Sequence, residues 1–169
     1  MNRCSTRQAN AADAPEIATL VNLAYRVEDF FKIGDRTDRA DVERAMEAGP
    51  FLVLTNEYER IVGCIHVEVR HDRGYFGMLS VLPESQRQGL GHRLIAEAED
   101  HCRLAGCEWM DLEVVNLRDE LPAFYRSLGY VVTGTAPFPA MERTKLPCHF
   151  IVMSKPLVAE GGTAEEALR

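Results

Sequence analysis

The sequence predicts an α+β protein with a central mixed, mostly antiparallel β-sheet of about six to seven strands flanked by helices. Apolar, β-branched runs at 51–55, 61–69 and 75–82 are separated by polar turns, which is typical of an antiparallel meander. After a short polar loop, apolar residues recur at helical spacing from Leu90 onward. A further strand pattern follows that helix, so the strands on either side of it should be parallel with a right-handed crossover.

Two helices are predicted before the meander. Asp13, Pro15 and Glu16 form a helix start, with Asp13 as the N-cap, proline in the first turn and a glutamate three residues after the cap. A weaker helical pattern occupies residues 35–47 and ends at Gly49. Both segments are expected to pack against the sheet.

The second half of the chain alternates strands and helices. The long helix over 90–105 leads into a strand at 109–115 and a short helix at 118–128. Strands at 130–134 and about 149–154 complete the pattern. The length of 169 residues fits one domain, which we place at 1–157, and the tail at 158–169 is expected to be flexible.

Composition excludes several classes of protein. Lys and Arg total 19 against 26 Asp and Glu, a net charge of −7, which argues against binding to a nucleic-acid backbone. The chain has neither a secretory signal pattern nor an apolar run long enough to span a membrane, so a soluble cytoplasmic protein with no membrane partner is expected. The 5 cysteines show no C-x-x-C pair or zinc-type spacing, which predicts free thiols and no metal site.

The segment Gln86–Arg93 joins a strand to the long helix and contains Gly89 and Gly91. Glycines let the backbone approach a ligand closely, and the first N–H groups of a helix are unpaired at the positive end of its dipole. This combination predicts a diphosphate site, which Arg87 and Arg93 flank. The chain has no Gly-Lys pair, which excludes a P-loop, and the glycine spacing does not match a dinucleotide fingerprint.

Two motifs give the sequence a specific resemblance. Leu79–Pro83 followed by Gln86–Gly91 is similar to the strand and loop of the GNAT superfamily of acyl-CoA-dependent N-acetyltransferases. The segment Phe124–Tyr130 is similar to the second hallmark of that superfamily. The order of elements resembles a GNAT-like fold from about residue 3 to residue 157.

The resemblance implies acetyl-CoA as the acyl donor. Strand residues would pair through their backbone with the pantetheine arm, as an added strand does at an open sheet edge, and the following loop would cradle the CoA diphosphate. The implied strand residues are Leu79, Ser80 and Val81, and the implied loop residues are Arg87, Gln88, Gly89, Leu90, Gly91 and His92.

The resemblance also implies catalytic residues. Tyr125 matches the tyrosine that protonates the departing thiolate in many members, although it also lies on an apolar helix stripe as a core tyrosine would. Glu113 matches a strand glutamate that serves as general base in some relatives. Glu68 and His66, on the same side of their strand, are alternative bases, directly or through water. Glu113, Glu68 and His66 are each also consistent with a solvent-facing position. A backbone N–H near Val81 would polarise the thioester carbonyl.

These observations predict an N-acetyltransferase that moves an acetyl group from acetyl-CoA to a primary amine by direct transfer in a ternary complex, with a small-molecule acceptor favoured. The alternatives are a non-catalytic acyl-CoA-binding regulatory module and a protein or peptide N-acetyltransferase. Loops at 27–38 and 136–147 should wall the acceptor side. Acidic residues in the first loop either favour a cationic acceptor or form a solvated face. An exposed sheet edge near the C-terminal strand would permit a homodimer.

Overall fold

A computed structural model describes residues 3–157 of the chain, and the predicted flexible tail at 158–169 lies outside these residues. The model contains one seven-stranded sheet in the order β1-β2-β3-β4-β5-β7-β6. This confirms the predicted fold class. The strands are β1 (Ser5–Gln8), β2 (Phe51–Thr55), β3 (Ile61–Arg70), β4 (Arg73–Val81), β5 (Trp109–Val115), β6 (Val131–Pro137) and β7 (His149–Pro156).

Helices flank this sheet. They are α1 (Ala14–Ala24), α2 (Arg39–Ala48), α3 (Leu90–Leu104) and α4 (Glu120–Ser127). As predicted, the two strands that α3 connects, β4 and β5, are parallel, whereas the other neighbouring strands pair antiparallel. The long helix α3 therefore crosses over the sheet between β4 and β5, in the segment that carries the glycine loop.

The N-terminal segment differs from the prediction in two ways. The polar strand β1 was not predicted, because four residues at a sheet edge show no apolar alternation. Asp13 occupies the N-cap position of α1 as predicted, but its side chain makes no capping bond: its carboxylate accepts the Asn10 N–H at 2.8 Å and pairs with Arg7. Asn10 instead caps the short turn that precedes the helix. The second helix begins at residue 39, where Asp38 caps it by accepting the Asp41 N–H.

The core lies on both faces of the sheet. A side chain at Gly63 of β3 would meet Leu94 of α3, whereas the His66 ring lies against the carbonyl of Ala45 in α2. Residues three apart on a strand point to opposite faces, so α2 and α3 cover opposite sides. All 5 cysteines are free thiols, and none of the helices between residues 3 and 157 is long and apolar enough to cross a membrane.

The parallel strands β4 and β5 separate after a short common stretch. They pair only where Arg73–Tyr75 meets Trp109–Asp111, and β4 then runs on to Val81 without β5 beside it. Met78, at φ +51°, is an extra residue in the β3–β4 register, that is, a β-bulge. A bulge bends a strand and increases its twist, which turns β4 away from β5. The gap between the two strands positions the site.

Candidate active site in the gap between β4 and β5

The gap opens into a cavity of about 1080 Å³. At one end, the cavity is lined by the loop before α3, and at the other by the end of α1 and the segment that follows it. Residues of β4, β5 and α4 line the stretch between these ends. The cavity is long and joins two differently built subsites.

The loop at the first end presents a continuous row of backbone donors. The N–H groups of the six residues from Arg87 to His92 have no acceptor among residues 3–157. Arg87 at φ +65° and Gly89 at φ +76° both adopt the left-handed conformation, and Gly89 is the N-cap of α3. Successive N–H groups in such a turn form an anion-binding concavity, and the dipole of the 15-residue helix adds to it.

The space above this loop is open. A Cβ placed on Gly89 or Gly91 would meet no atom within 4 Å, so no protein atom blocks the approach of an anionic group to these glycines. The side chains of Arg87 and His92 line the cavity, whereas that of Gln88 does not. Arg93, predicted to flank the site, donates instead to the Cys4 carbonyl at 2.8 Å and pairs with Glu97.

The edge of β4 continues the site from the loop. The Leu82 N–H donates to the Val62 carbonyl on β3, and backbone groups alternate sides along a strand. The N–H and C=O groups of Leu79 and Val81 therefore point into the gap, where an extended chain can pair with them, although the Val81 carbonyl already accepts from the Gln86 side-chain amide at 3.2 Å. Ser80 is buried, and its hydroxyl donates to the Met78 carbonyl at 3.0 Å.

Tyr125 lies on α4, with its ring 6.1 Å from that of Phe76 on β4. Only 7% of the residue is exposed, yet it lines the cavity. Its hydroxyl makes no hydrogen bond with the described residues, and because none of their fully buried side-chain oxygens lacks a partner, this hydroxyl retains some accessible surface. The Tyr130 hydroxyl, by contrast, donates to Glu99 at 2.9 Å. Burial raises the pKa of Tyr125 above its usual value, so its proton is retained at neutral pH.

The two candidate bases occupy different places. Glu113 lies on β5, two residues past the last pair with β4, and its side chain lines the cavity. Glu68 does not line the cavity, and its carboxylate accepts from Arg70 at 2.7 Å. His66 is 4% exposed, and its Nε2 lies 2.8 Å from the Ala45 carbonyl at the end of α2. Of these three, the structure brings only Glu113 to the cavity.

The second end of the cavity is lined by charged and phenolic side chains. None of them was singled out as a site residue from the sequence, because they lie in three separate segments that meet only after folding. Their residue types alone do not distinguish them from surface residues. They are Tyr25, Glu28, Lys32, Arg36, Tyr75 and Arg118.

Burial alters the protonation of this end. It raises the pKa of both Tyr25 and Tyr75 to about 12, so both phenols are neutral. Burial, reinforced by the Arg36 cation, lowers the pKa of Lys32 to about 8. Arg118 donates to Glu28 at 3.3 Å and to Glu120 at 2.6 Å, so its charge is neutralised within the protein.

The acidic residues of the loop at 27–38 are divided by the fold. Only Glu28 lines the cavity between β4 and β5, and it is paired with Arg118. Asp29 and Asp35 line a second cavity, which Lys32 and Arg36 also line, and Asp38 caps α2. The acidic composition of this loop therefore does not describe the charge at the second end of the cavity.

The two loops expected to wall the acceptor side are bonded to each other. The Ile33 N–H donates to the Arg143 carbonyl at 2.8 Å, and the Lys145 N–H donates to the Phe31 carbonyl at 2.6 Å. The buried Phe31 ring lies 6.4 Å from that of Phe138, which lines the cavity. These contacts form one continuous wall at the second end.

Comparison with known proteins places this arrangement in a class. The model of the acetyltransferase (GNAT) domain matches residues 21–140, and the chain belongs to this family. Among residues 3–157, no three His, Cys, Asp or Glu side chains form a cluster that would hold a metal ion.

Solved structures share the fold at low sequence identity. The ribosomal-protein-S18-alanine N-acetyltransferase from Escherichia coli superposes with a TM-score of 0.75 at 20% identity, over 95% of this chain and 98% of that one. Nourseothricin acetyltransferase gives 0.71 at 17% identity, over 91% and 98%. The yncA protein of Salmonella typhimurium, solved with its cofactor acetyl-CoA, gives 0.70 at 22% identity, over 95% and 98%. Two of these names specify different acceptors, so the shared fold does not determine the acceptor of this chain.

Proposed function

We propose that this protein is an N-acetyltransferase that transfers the acetyl group of acetyl-CoA to the primary amine of a small molecule in a ternary complex. The observation that carries the proposal is the row of unpaired N–H groups at Arg87–His92, which continues into the open edge of β4. The loop fits the diphosphate, and the N–H and C=O groups of Leu79 and Val81 fit the extended pantetheine arm. Family membership supports the same donor.

In this mechanism, Glu113 accepts the proton of the acceptor ammonium, directly or through one water molecule. The neutral amine attacks the thioester carbonyl carbon, so that a C–N bond forms and the C–S bond breaks. A backbone N–H of β4 near Val81 polarises the carbonyl oxygen. The Tyr125 hydroxyl gives its proton to the departing thiolate, and the second proton that the nitrogen loses as the amide forms restores the phenol. Positioning the two substrates supplies roughly 7–11 kcal/mol of barrier lowering, so modest acid and base contributions suffice.

The wall at the second end of the cavity favours a small acceptor. An extended peptide needs an open groove on this side, but the segments around Ile33 and Lys145 are hydrogen-bonded across it. Phe138 and Phe150, whose rings lie 5.1 Å apart, both line the same end. The acceptor is therefore expected to enter a pocket and not to lie along the surface.

The test is release of free CoA thiol from acetyl-CoA in the presence of a panel of small primary amines and a matched panel of peptides with free N-termini or lysines. Turnover with small amines is the expected result. Turnover with peptides alone would overturn the small acceptor. Saturable acetyl-CoA binding without turnover of either panel would identify the protein as a non-catalytic acyl-CoA-binding module.

A further inference from the structure

The second end of the cavity holds two cations that form no direct ion pair within the described residues. Neither Lys32 nor Arg36 forms a hydrogen bond or ion pair through its side chain with any group among residues 3–157. The nearby carboxylate of Glu28 is paired with Arg118. The Arg36 guanidinium lies over the Tyr25 ring at 5.4 Å, which holds it in place without neutralising its charge.

Half-buried like charges without counter-ions are energetically unfavourable, since desolvation and mutual repulsion both oppose them. The lowered pKa of Lys32 reports both effects. Proteins accept this cost at sites where a ligand supplies the missing charge. The planar guanidinium of Arg36 suits a carboxylate, which it binds through two parallel hydrogen bonds.

These cations lie in a different part of the cavity from the glycine loop. Lys32 and Arg36 follow α1, and the Arg36 guanidinium lies over the Tyr25 ring, whereas the row of N–H donors at Arg87–His92 precedes α3. With the CoA diphosphate on that loop, the cations are left to face the acceptor.

Glu113 completes the charge pattern. Its carboxylate has no ion-pair partner among the described residues, and it lies close enough to Tyr75 to raise the pKa of that phenol. Tyr75 thus lies within electrostatic range of the Glu113 carboxylate and the Arg36 cation, as well as of Arg70, which stacks over its ring at 4.2 Å, and of Glu68. An acceptor with an ammonium group and a carboxylate group matches the charges of Glu113 and Arg36.

We infer that the acceptor of the proposed reaction is an amine that also carries a carboxylate, as an amino acid does, and that Lys32 and Arg36 bind this carboxylate. The inference rests on the proposed function for the role of the amine. The two side chains are specificity-determining residues, since they contact the acceptor away from the bonds that change.

The first experiment compares acceptors in matched pairs, each amino acid with its own carboxamide, by kcat/KM for thiol release. The carboxylate member of the best pair should exceed its amide at least 10-fold. This ratio should fall to within 2-fold in Lys32→Gln and Arg36→Gln and recover partly in Arg36→Lys. Arg26→Gln is the matched control, because Arg26 is exposed in the same segment and does not line this cavity. An amide that matches its acid in the wild type, or a ratio unchanged in both variants, overturns the inference.

The second experiment keeps the inference testable if no amine is acetylated, which would refute the proposed function alone. The protein saturated with CoA is titrated with N-acetyl amino acids and with their carboxamides by calorimetry. The acids should bind at least 10-fold more tightly, and Lys32→Gln and Arg36→Gln should remove the difference. Equal binding of acids and amides, or binding of neither, overturns the inference. Both variants should unfold at the wild-type temperature or above, since each removes an unpaired charge.

Discussion

Backbone groups build one end of the cavity, and side chains build the other. From Arg87 to His92 the ligand-facing groups are N–H donors, whereas Glu28, Lys32, Arg36 and Arg118 supply charge at the opposite end. A backbone site depends on conformation, so it persists when most side chains change. A side-chain site changes with each substitution. The difference explains how chains about 20% identical share a fold while their names specify different acceptors.

The largest effect is expected where the backbone site is broken. Gly89→Glu places a carboxylate in the open space above the loop and should weaken acetyl-CoA binding at least about 100-fold, since like charge replaces an anion cradle. Isothermal titration measures this. Gly106→Glu is the matched control: Gly106 is also left-handed, at φ +88°, with open space around it, but it lies outside the cavity. Both variants carry about 1–2 kcal/mol of backbone strain, so equal loss of binding would refute the cradle.

Removing the proposed acid should affect turnover and leave the donor site intact. Tyr125→Phe should lower kcat about 100-fold, within the range of general acid catalysis, with the Kd for acetyl-CoA unchanged. Steady-state kinetics and calorimetry measure the two quantities. Tyr130→Phe is the control: it loses a buried hydrogen bond to Glu99 and about 1 kcal/mol of stability, but its turnover should stay at the wild-type level. An unchanged kcat in Tyr125→Phe would remove Tyr125 from the mechanism.

The base is identified by a pair of isosteric substitutions. Glu113→Gln should lower kcat about 10-fold or more, because the other two carboxylates that line the cavity, Glu28 and Glu120, are both paired with Arg118. Glu68→Gln should leave kcat unchanged, since Glu68 pairs with Arg70 outside the cavity. If only the Glu68 variant lost turnover, Glu68 on β3 would be the base instead of Glu113.

The smallest effect is a pH dependence at the side-chain end. The pKa of Lys32 is about 8 in the ligand-free protein, and a bound carboxylate would raise it. Affinity for N-acetyl amino acids, which lack a titrating amine, should be full below pH 8 and fall several-fold as the pH rises above it. Lys32→Gln should abolish this pH dependence of the affinity. If the affinity of the variant still fell with rising pH, another titrating group would be responsible. The charged groups around Lys32 are Arg26, Glu28, Asp29, Asp35, Arg36, Arg143 and Lys145.

The contrast between a backbone-built end and a side-chain-built end also explains which parts of the fold and of the site could be predicted from the sequence. Apolar periodicity located most of the strands and helices, and the glycine loop was evident because a contiguous motif forms it. Lys32 and Arg36 gave no such signal, because their role arises when the segment around Ile33 meets the segment around Lys145. The bulge at Met78 was equally hidden, since a left-handed methionine has no sequence signature. Contacts between segments distant in sequence are set by packing, which composition does not encode locally.

The separation of β4 and β5 has a consequence for solubility. An open strand edge on the rim of a sheet recruits strands from other molecules and promotes aggregation. Here the open edge at Leu79–Val81 lies in the interior of the sheet, with β3 on one side and a cavity lined by α4 residues on the other. A narrow flexible chain can enter this gap, but a second protein strand with its side chains meets Phe124 and Tyr125. The unpaired edge of β4 can thus still bind a narrow chain, while the residues across the gap keep it from pairing with strands of other protein molecules.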